Sequence, residues 1–156
     1  MSAPIESILV DSRTTIWLHA RSRANLLKLL LSRLDIYLSA LSAYEVAAAF
    51  IYYRIGDPRG HMARLEKIYH IVYPDREILS TAARISADLM YHGESRSDID
   101  VIVASTAISR NLLLVSIRAQ EYDMFKKYGL STLSMDGLIK QLEHGVEGRV
   151  PPEGGS

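Results

Sequence analysis

The apolar residues of this chain gather in short runs, at 7–10, 36–39, 112–116 and 130–133, set between stretches where they recur every three or four residues. Runs of that length read as strands buried on both faces of a parallel sheet, and the recurrences read as helices with one apolar stripe. Strands alternating with helices predict an α/β fold, a three-layer α/β/α sandwich with helices on both faces of a parallel sheet. In such a fold the C-terminal ends of the strands line the functional crevice.

Between the runs, Ile16, Trp17, Leu26, Leu27, Leu30, Leu31 and Leu34 predict one helix or a pair broken at Arg21-Ser22-Arg23. A second helix is expected from Ser42 to about residue 55, stopped by Gly56-Asp57-Pro58. Others are expected over 59–71 and 76–91, separated by the turn Tyr73-Pro74-Asp75. Ser97-Asp98-Ile99-Asp100 opens the next, and after 112–116 a short helix, the 130–133 strand and a final helix from Asp136 complete the chain.

A length of 156 residues with 48% hydrophobic content suits a single core. One domain is expected over 1–145, followed by a frayed tail over 146–156. The 18 basic and 18 acidic side chains cancel, so net charge argues neither for nor against a nucleic-acid partner. With no cysteine, thiolate metal sites, thiol nucleophiles and disulfides are excluded. The first residues carry no secretory pattern, and no apolar stretch approaches the roughly 20 residues of a membrane span. A cytoplasmic protein outside the membrane is expected.

Three acids stand at places where such a sheet presents chemistry. Asp11 follows the first strand, while Glu45 and Asp100 each lie three residues after a serine that can begin a helix. Ser42-Ala43-Tyr44-Glu45 and Ser97-Asp98-Ile99-Asp100 read equally as capping boxes, whose acids satisfy backbone donors. The two roles are compatible, because a helix N-terminus keeps a carboxylate ionised and able to bind a hard divalent cation. Spacing alone does not bring the three together.

Other chemistries have weaker support. His19, His61, His70, His92 and His144 form no zinc-binding pattern, and neither GxGxxG nor a phosphate-loop motif occurs. The serines lack a nucleophile-elbow setting. Arg13, Arg21, Arg23 and Lys28 read as solvated positions or as phosphate contacts. Tyr44, Tyr52 and Tyr53 read as core or interface residues rather than base-stacking platforms.

Four stretches together resemble the PIN-domain family, and VapC-like toxins in particular, over about residues 1–143. ILVDSRTTIWL resembles the opening strand and acid, and LSALSAYEV the second strand with its helix-borne glutamate. DIDVIVASTA resembles the D-x-x-I-A-A-T-A helix, and LLLVSIRAQEYDMF the segment L-V-T-[RK]-[DN]-x-x-[DE]-[FY]. The resemblance implies five parallel strands and a Mg²⁺- or Mn²⁺-dependent ribonuclease that cleaves RNA, inhibited by a VapB-like antitoxin and forming a homodimer. It implies metal-binding and catalytic roles for Asp11, Glu45 and Asp100, with Glu121 as the fourth carboxylate. Ser12 reads first as a plain turn residue and otherwise as a support for a ligand, and Asp98 stands in the variable approach to the helix that carries Asp100. Arg118 occupies the place where the pattern has Asp or Asn, which implies either an impaired metal site or a phosphate contact. A non-catalytic module binding RNA or protein is therefore the competing expectation. For the dimer, Ala47, Phe50, Ile51 and Tyr52 are the candidate contacts.

Overall fold

Alternation along the strands divides the core into two halves. In the structure, a computed structural model that describes residues 3–147, strand β1 (Ser7–Val10) sends Ile8 and Val10 to one side and Leu9 to the other. Its neighbours do the same. β2 (Asp35–Ser39) places Ile36 and Leu38 with Ile8, and Tyr37 with Leu9. β4 (Leu113–Ser116) places Val115 on the first side and Leu114 on the second. With side chains buried on both faces, such strands need a helical layer above and below.

The first layer holds α1 (Ser12–Leu18), α2 (Ala24–Arg33), α3 (Ala40–Tyr52), α4 (His61–Ile68) and α7 (Met135–Glu147). The second holds α5 (Arg76–Tyr91), α6 (Asp98–Arg110) and a 3-10 segment, Ala119–Tyr128, whose Tyr122 and Phe125 are buried. Each fully buried leucine or phenylalanine in these layers contributes about 1.5–3 kcal/mol of transfer free energy. The stretch left open as one helix or two is broken, with a 3-10 turn at Arg21–Arg23 between α1 and α2.

All five strands are parallel, in the order β3-β2-β1-β4-β5, so the predicted sheet is present. The chain runs outward from β1 to β3 and then returns to β4 on the opposite side of β1. That reversal opens a crevice at the C-terminal ends of β1 and β4, the position where ligands bind in open α/β sheets.

Several local expectations are corrected. The stretch expected as one helix over 59–71 ends at Ile68, and His70–Val72 forms the edge strand β3, which three residues were too few to signal. Helix α3 begins at Ala40 with Ser39 as its cap, the serine side chain accepting from Leu41 N. Ser42 is buried inside the helix, so Ser42–Glu45 is not a capping box. β5 is Thr132–Ser134, two residues later than expected, because Gly129 with φ of 100° turns the chain out of the 3-10 segment first. The expected tail at 146–156 lies almost entirely outside the described residues. No described helix is long and apolar enough to cross a membrane.

Candidate active site

Asp11 is the most constrained acid in the crevice. It caps α1 through Thr14 N to Oδ1 at 3.0 Å, and its Oδ2 accepts from Ser116 Oγ at 2.8 Å and from Tyr122 Oη at 2.9 Å. Only 6% of Asp11 is exposed, and the three donors come from α1, the end of β4 and the 3-10 segment. An ionised carboxylate has about four lone-pair sites, so three donors leave room for one further partner. Such a buried acid, fixed in rotation and still able to bind, suits a cation ligand better than a solvated one would.

The other acids approach from neighbouring elements. Ser12, next to Asp11, donates to Glu45 Oε1 at 3.0 Å, which joins the start of α1 to the middle of α3. Ser12 therefore supports a carboxylate directly, which is more than a turn residue does. Asp100 stands in the first turn of α6, where Ser97 rather than the acid makes the cap by accepting from Asp100 N at 3.1 Å. Among the described residues no side chain pairs with the Asp100 carboxylate, which leaves it available.

The Tyr122 hydroxyl reports where these charges converge. Burial drives its pKa far above the ordinary tyrosine value, and the negative fields of Asp11, Asp100 and Glu121 push it further. Tyr122 thus stays protonated at any physiological pH and remains a donor to Asp11. Asp98, two residues before Asp100 at the start of α6, is exposed.

Glu121 is held differently from the rest. Its Oε2 lies 3.4 Å from Arg13 Nη1 and its Oε1 3.3 Å from Arg118 Nη1, while its backbone carbonyl accepts from Arg96. Arg118 therefore sits at the rim of the crevice, beside the acid rather than free of it. Its backbone N–H donates to Ser116 Oγ at 3.0 Å, linking it to the hydroxyl that holds Asp11.

The donor set is all carboxylate oxygen, which fits a hard divalent cation in chemistry. In arrangement the fit is incomplete. Among the described residues no three Asp, Glu or His side chains are gathered closely enough to hold a metal ion. Ser12 links Glu45 to the start of α1 beside Asp11, Tyr122 feels Asp11, Asp100 and Glu121, and Glu121 is paired with Arg13 and Arg118.

The remaining candidates separate from the site. His19 bonds Tyr69, His61 packs against Phe50, His70 pairs with Asp35 and His92 with Asp88, which accounts for four of the five histidines. Arg23 lies over the Trp17 ring, 4.1 Å from its centroid, so it serves packing. A cavity of about 540 Å³ between α5 and α6, lined by Thr81, Arg84, Asp88 and Tyr128 among others, contains none of the four acids. The negative fields of Asp11, Asp100 and Glu121 meet instead at Tyr122.

Ser116, Tyr122, Thr14 and Arg96 were given no role by sequence reasoning. Ser116 and Tyr122 stand at the hydroxyl and aromatic positions of the L-V-T-[RK]-[DN]-x-x-[DE]-[FY] stretch, so the signal for both was present. Thr14 and Arg96 had none.

No family profile matches the chain. A VapC ribonuclease of Pyrococcus furiosus is 31% identical over 140 residues, covering 90% of this chain and 93% of that protein. Among solved structures, VapBC2 of Rickettsia felis bound to a promoter DNA fragment superposes with a TM-score of 0.66 at 18% identity, covering 83% of this chain and 99% of that one. VapBC-1 of nontypeable Haemophilus influenzae gives 0.67 at 16% identity, covering 82% and 97%. FitAcB of Neisseria gonorrhoeae gives 0.61 at 21% identity, covering 81% and 96%. These structures share the PIN fold with this chain, and the near-full-length relative shows that the chain belongs to the VapC ribonuclease family.

Proposed function

We propose that this protein is a metal-dependent endoribonuclease, the toxin of a VapBC-type pair, and that Asp11, Glu45, Asp100 and Glu121 form its metal-binding and catalytic site. The observation that carries the assignment of residues is the buried Asp11 carboxylate, held by Ser116, Tyr122 and Thr14 within the field of Asp100 and Glu121. The relative's activity supports the reaction.

In this reading Asp11, Glu45 and Asp100 would hold Mg²⁺ or Mn²⁺, and Glu121 would join them. When bound, the cation supplies the charge that activates a water and neutralises developing charge on the phosphate oxygens. The protein's own part is orientation. Tyr122 and Ser116 fix the rotation of Asp11, and Ser12 holds one oxygen of Glu45, so that these two acids would meet the cation in a set orientation. Asp98 and Arg118 lie at the edge, where contact with RNA is open to both.

Solved structures similar in fold include VapBC assemblies and a toxin–antitoxin complex from Klebsiella pneumoniae, which supports an antitoxin as partner. The reading also includes a homodimer and places the protein in the cytoplasm, where RNA and an antitoxin are both at hand. Of the four residues expected at the dimer contact, Ala47 is buried in the core and Phe50 is half-buried. Ile51 and Tyr52, 47% and 79% exposed, keep that candidacy.

The test is cleavage of tRNA and rRNA by antitoxin-free protein with Mg²⁺ or Mn²⁺, set against an EDTA control. Cleavage with metal and none in EDTA is expected. Binding of RNA with no cleavage under any metal would replace this reading with a non-catalytic module.

A further inference from the structure

The two oxygens of Glu121 are each taken by a different guanidinium. Arg13, from the first turn of α1, meets Oε2, and Arg118, just beyond β4, meets Oε1. The three side chains are 58%, 54% and 41% exposed for Arg13, Arg118 and Glu121, so the cluster faces solvent at the mouth of the crevice. Each guanidinium gives one nitrogen to the carboxylate, at 3.4 and 3.3 Å, and two cations flanking one anion at solvent is an arrangement a phosphate can also fill.

We propose that Arg13 and Arg118 form a subsite for an RNA phosphate, and that Glu121 occupies this subsite until RNA displaces it. The proposal rests on the ribonuclease reading above and assigns its substrate a point of attachment. Half-exposed ion pairs are weak, so a phosphate can exchange with the carboxylate at little cost. Glu121 cannot serve the two arginines and a cation at once, because a cation drawn to its oxygens is repelled by both guanidinium groups. A phosphate entering the forks neutralises them and frees Glu121 to turn towards Asp100 and Tyr122, whose hydroxyl already feels its charge. RNA and divalent cation therefore bind with positive coupling, each favouring the state the other needs.

The experiment titrates a short single-stranded RNA oligonucleotide in EDTA, where metal-dependent cleavage is off, at several salt concentrations. Glu121→Gln should bind RNA roughly two- to tenfold tighter than the parent, as expected from the loss of two exposed ion pairs. Arg13→Gln/Arg118→Gln should bind more weakly, its salt dependence shallower by about 0.7, since the contact to one phosphate of a single strand is lost. Adding Glu121→Gln to that double variant should restore nothing. Asp123→Asn removes a nearby exposed acid that pairs with Lys126, and it should give no comparable gain. The subsite is overturned if Glu121→Gln leaves RNA binding unchanged, if its gain persists without the arginines, or if Asp123→Asn matches it. Cleavage with Mn²⁺ but no exchange in EDTA removes the subsite alone, whereas exchange without cleavage removes the ribonuclease reading alone.

Discussion

The Tyr122 hydroxyl donates to Asp11 Oδ2 across 2.9 Å, joining residues 111 positions apart into one buried unit that includes Ser116. Hydrogen bonds to a charged group contribute about 1.5–3 kcal/mol each, more than neutral ones, because the carboxylate has lost its water. Tyr122→Phe should lower stability by about that amount while the ring still fills its place beside Phe125. Asp11→Ala should cost more, since it also removes the α1 cap and leaves two buried hydroxyls without their acceptor. In urea denaturation the double variant should lose less than the sum of the singles. Simple additivity would mean that the two groups do not act as a unit.

Arg96 reaches from the approach to α6 to the carbonyl of Glu121, so it ties the 3-10 segment to the helix that carries Asp100. Arg96→Ala should loosen 119–128 selectively. Hydrogen exchange is expected to quicken for those amides and to leave α5 unchanged. Uniform loss of protection across the protein would instead give Arg96 a general structural role.

His19 gives the fold a pH dependence. Its Nε2 lies 2.7 Å from Tyr69 Oη, and burial lowers its pKa from the ordinary 6.5, while burial raises that of Tyr69. The neutral ring and the protonated tyrosine share this bond, whose direction follows the tautomer of the ring. The folded chain binds this proton less readily than the unfolded chain does, so the contribution is full above 6.5 and is lost as pH falls towards the lower folded value. Urea midpoints measured from about pH 8 down to about pH 5 should fall more steeply for the parent than for His19→Gln. Parallel curves would remove His19 as the source.

The outer surface of α3 carries Tyr44, Ile51 and Tyr52, with Tyr53 and Ile55 just beyond, all exposed. A patch rich in tyrosine and isoleucine has the composition of an interface core. Light scattering should return twice the 17.5 kDa chain mass, and Tyr52→Asp should return the chain mass. A parent that remains at 17.5 kDa across micromolar concentrations would remove the dimer.

How far the sequence could be read depends on the range of each interaction. β1, β2 and β4 were legible because both of their faces are buried, which leaves an uninterrupted apolar run. β3 was not, because three edge residues next to a helix of the same polarity leave no separate pattern. The start of α3 was misplaced because two serines, Ser39 and Ser42, offer caps, and only the end of β2 decides between them. Asp11 and Asp100 were legible from their elements and the motif. The pairing of Glu121 with Arg13 spans 108 positions and depends on how the 3-10 segment lies against α1, which no local pattern encodes.

Asp100 tests the central claim most directly, because its carboxylate is unpaired among the described residues and Ser97 makes the cap of α6 without it. Asp100→Asn keeps the side chain's shape and removes a hard anionic ligand. Calorimetric Mn²⁺ titration of the parent and this variant, with circular dichroism and RNA cleavage on the same samples, is the decisive measurement. Metal binding and cleavage lost in a variant that keeps the parent's spectrum is the predicted result. A folded Asp100→Asn protein that binds Mn²⁺ and cleaves RNA as the parent does would contradict the assignment of this crevice as the active site.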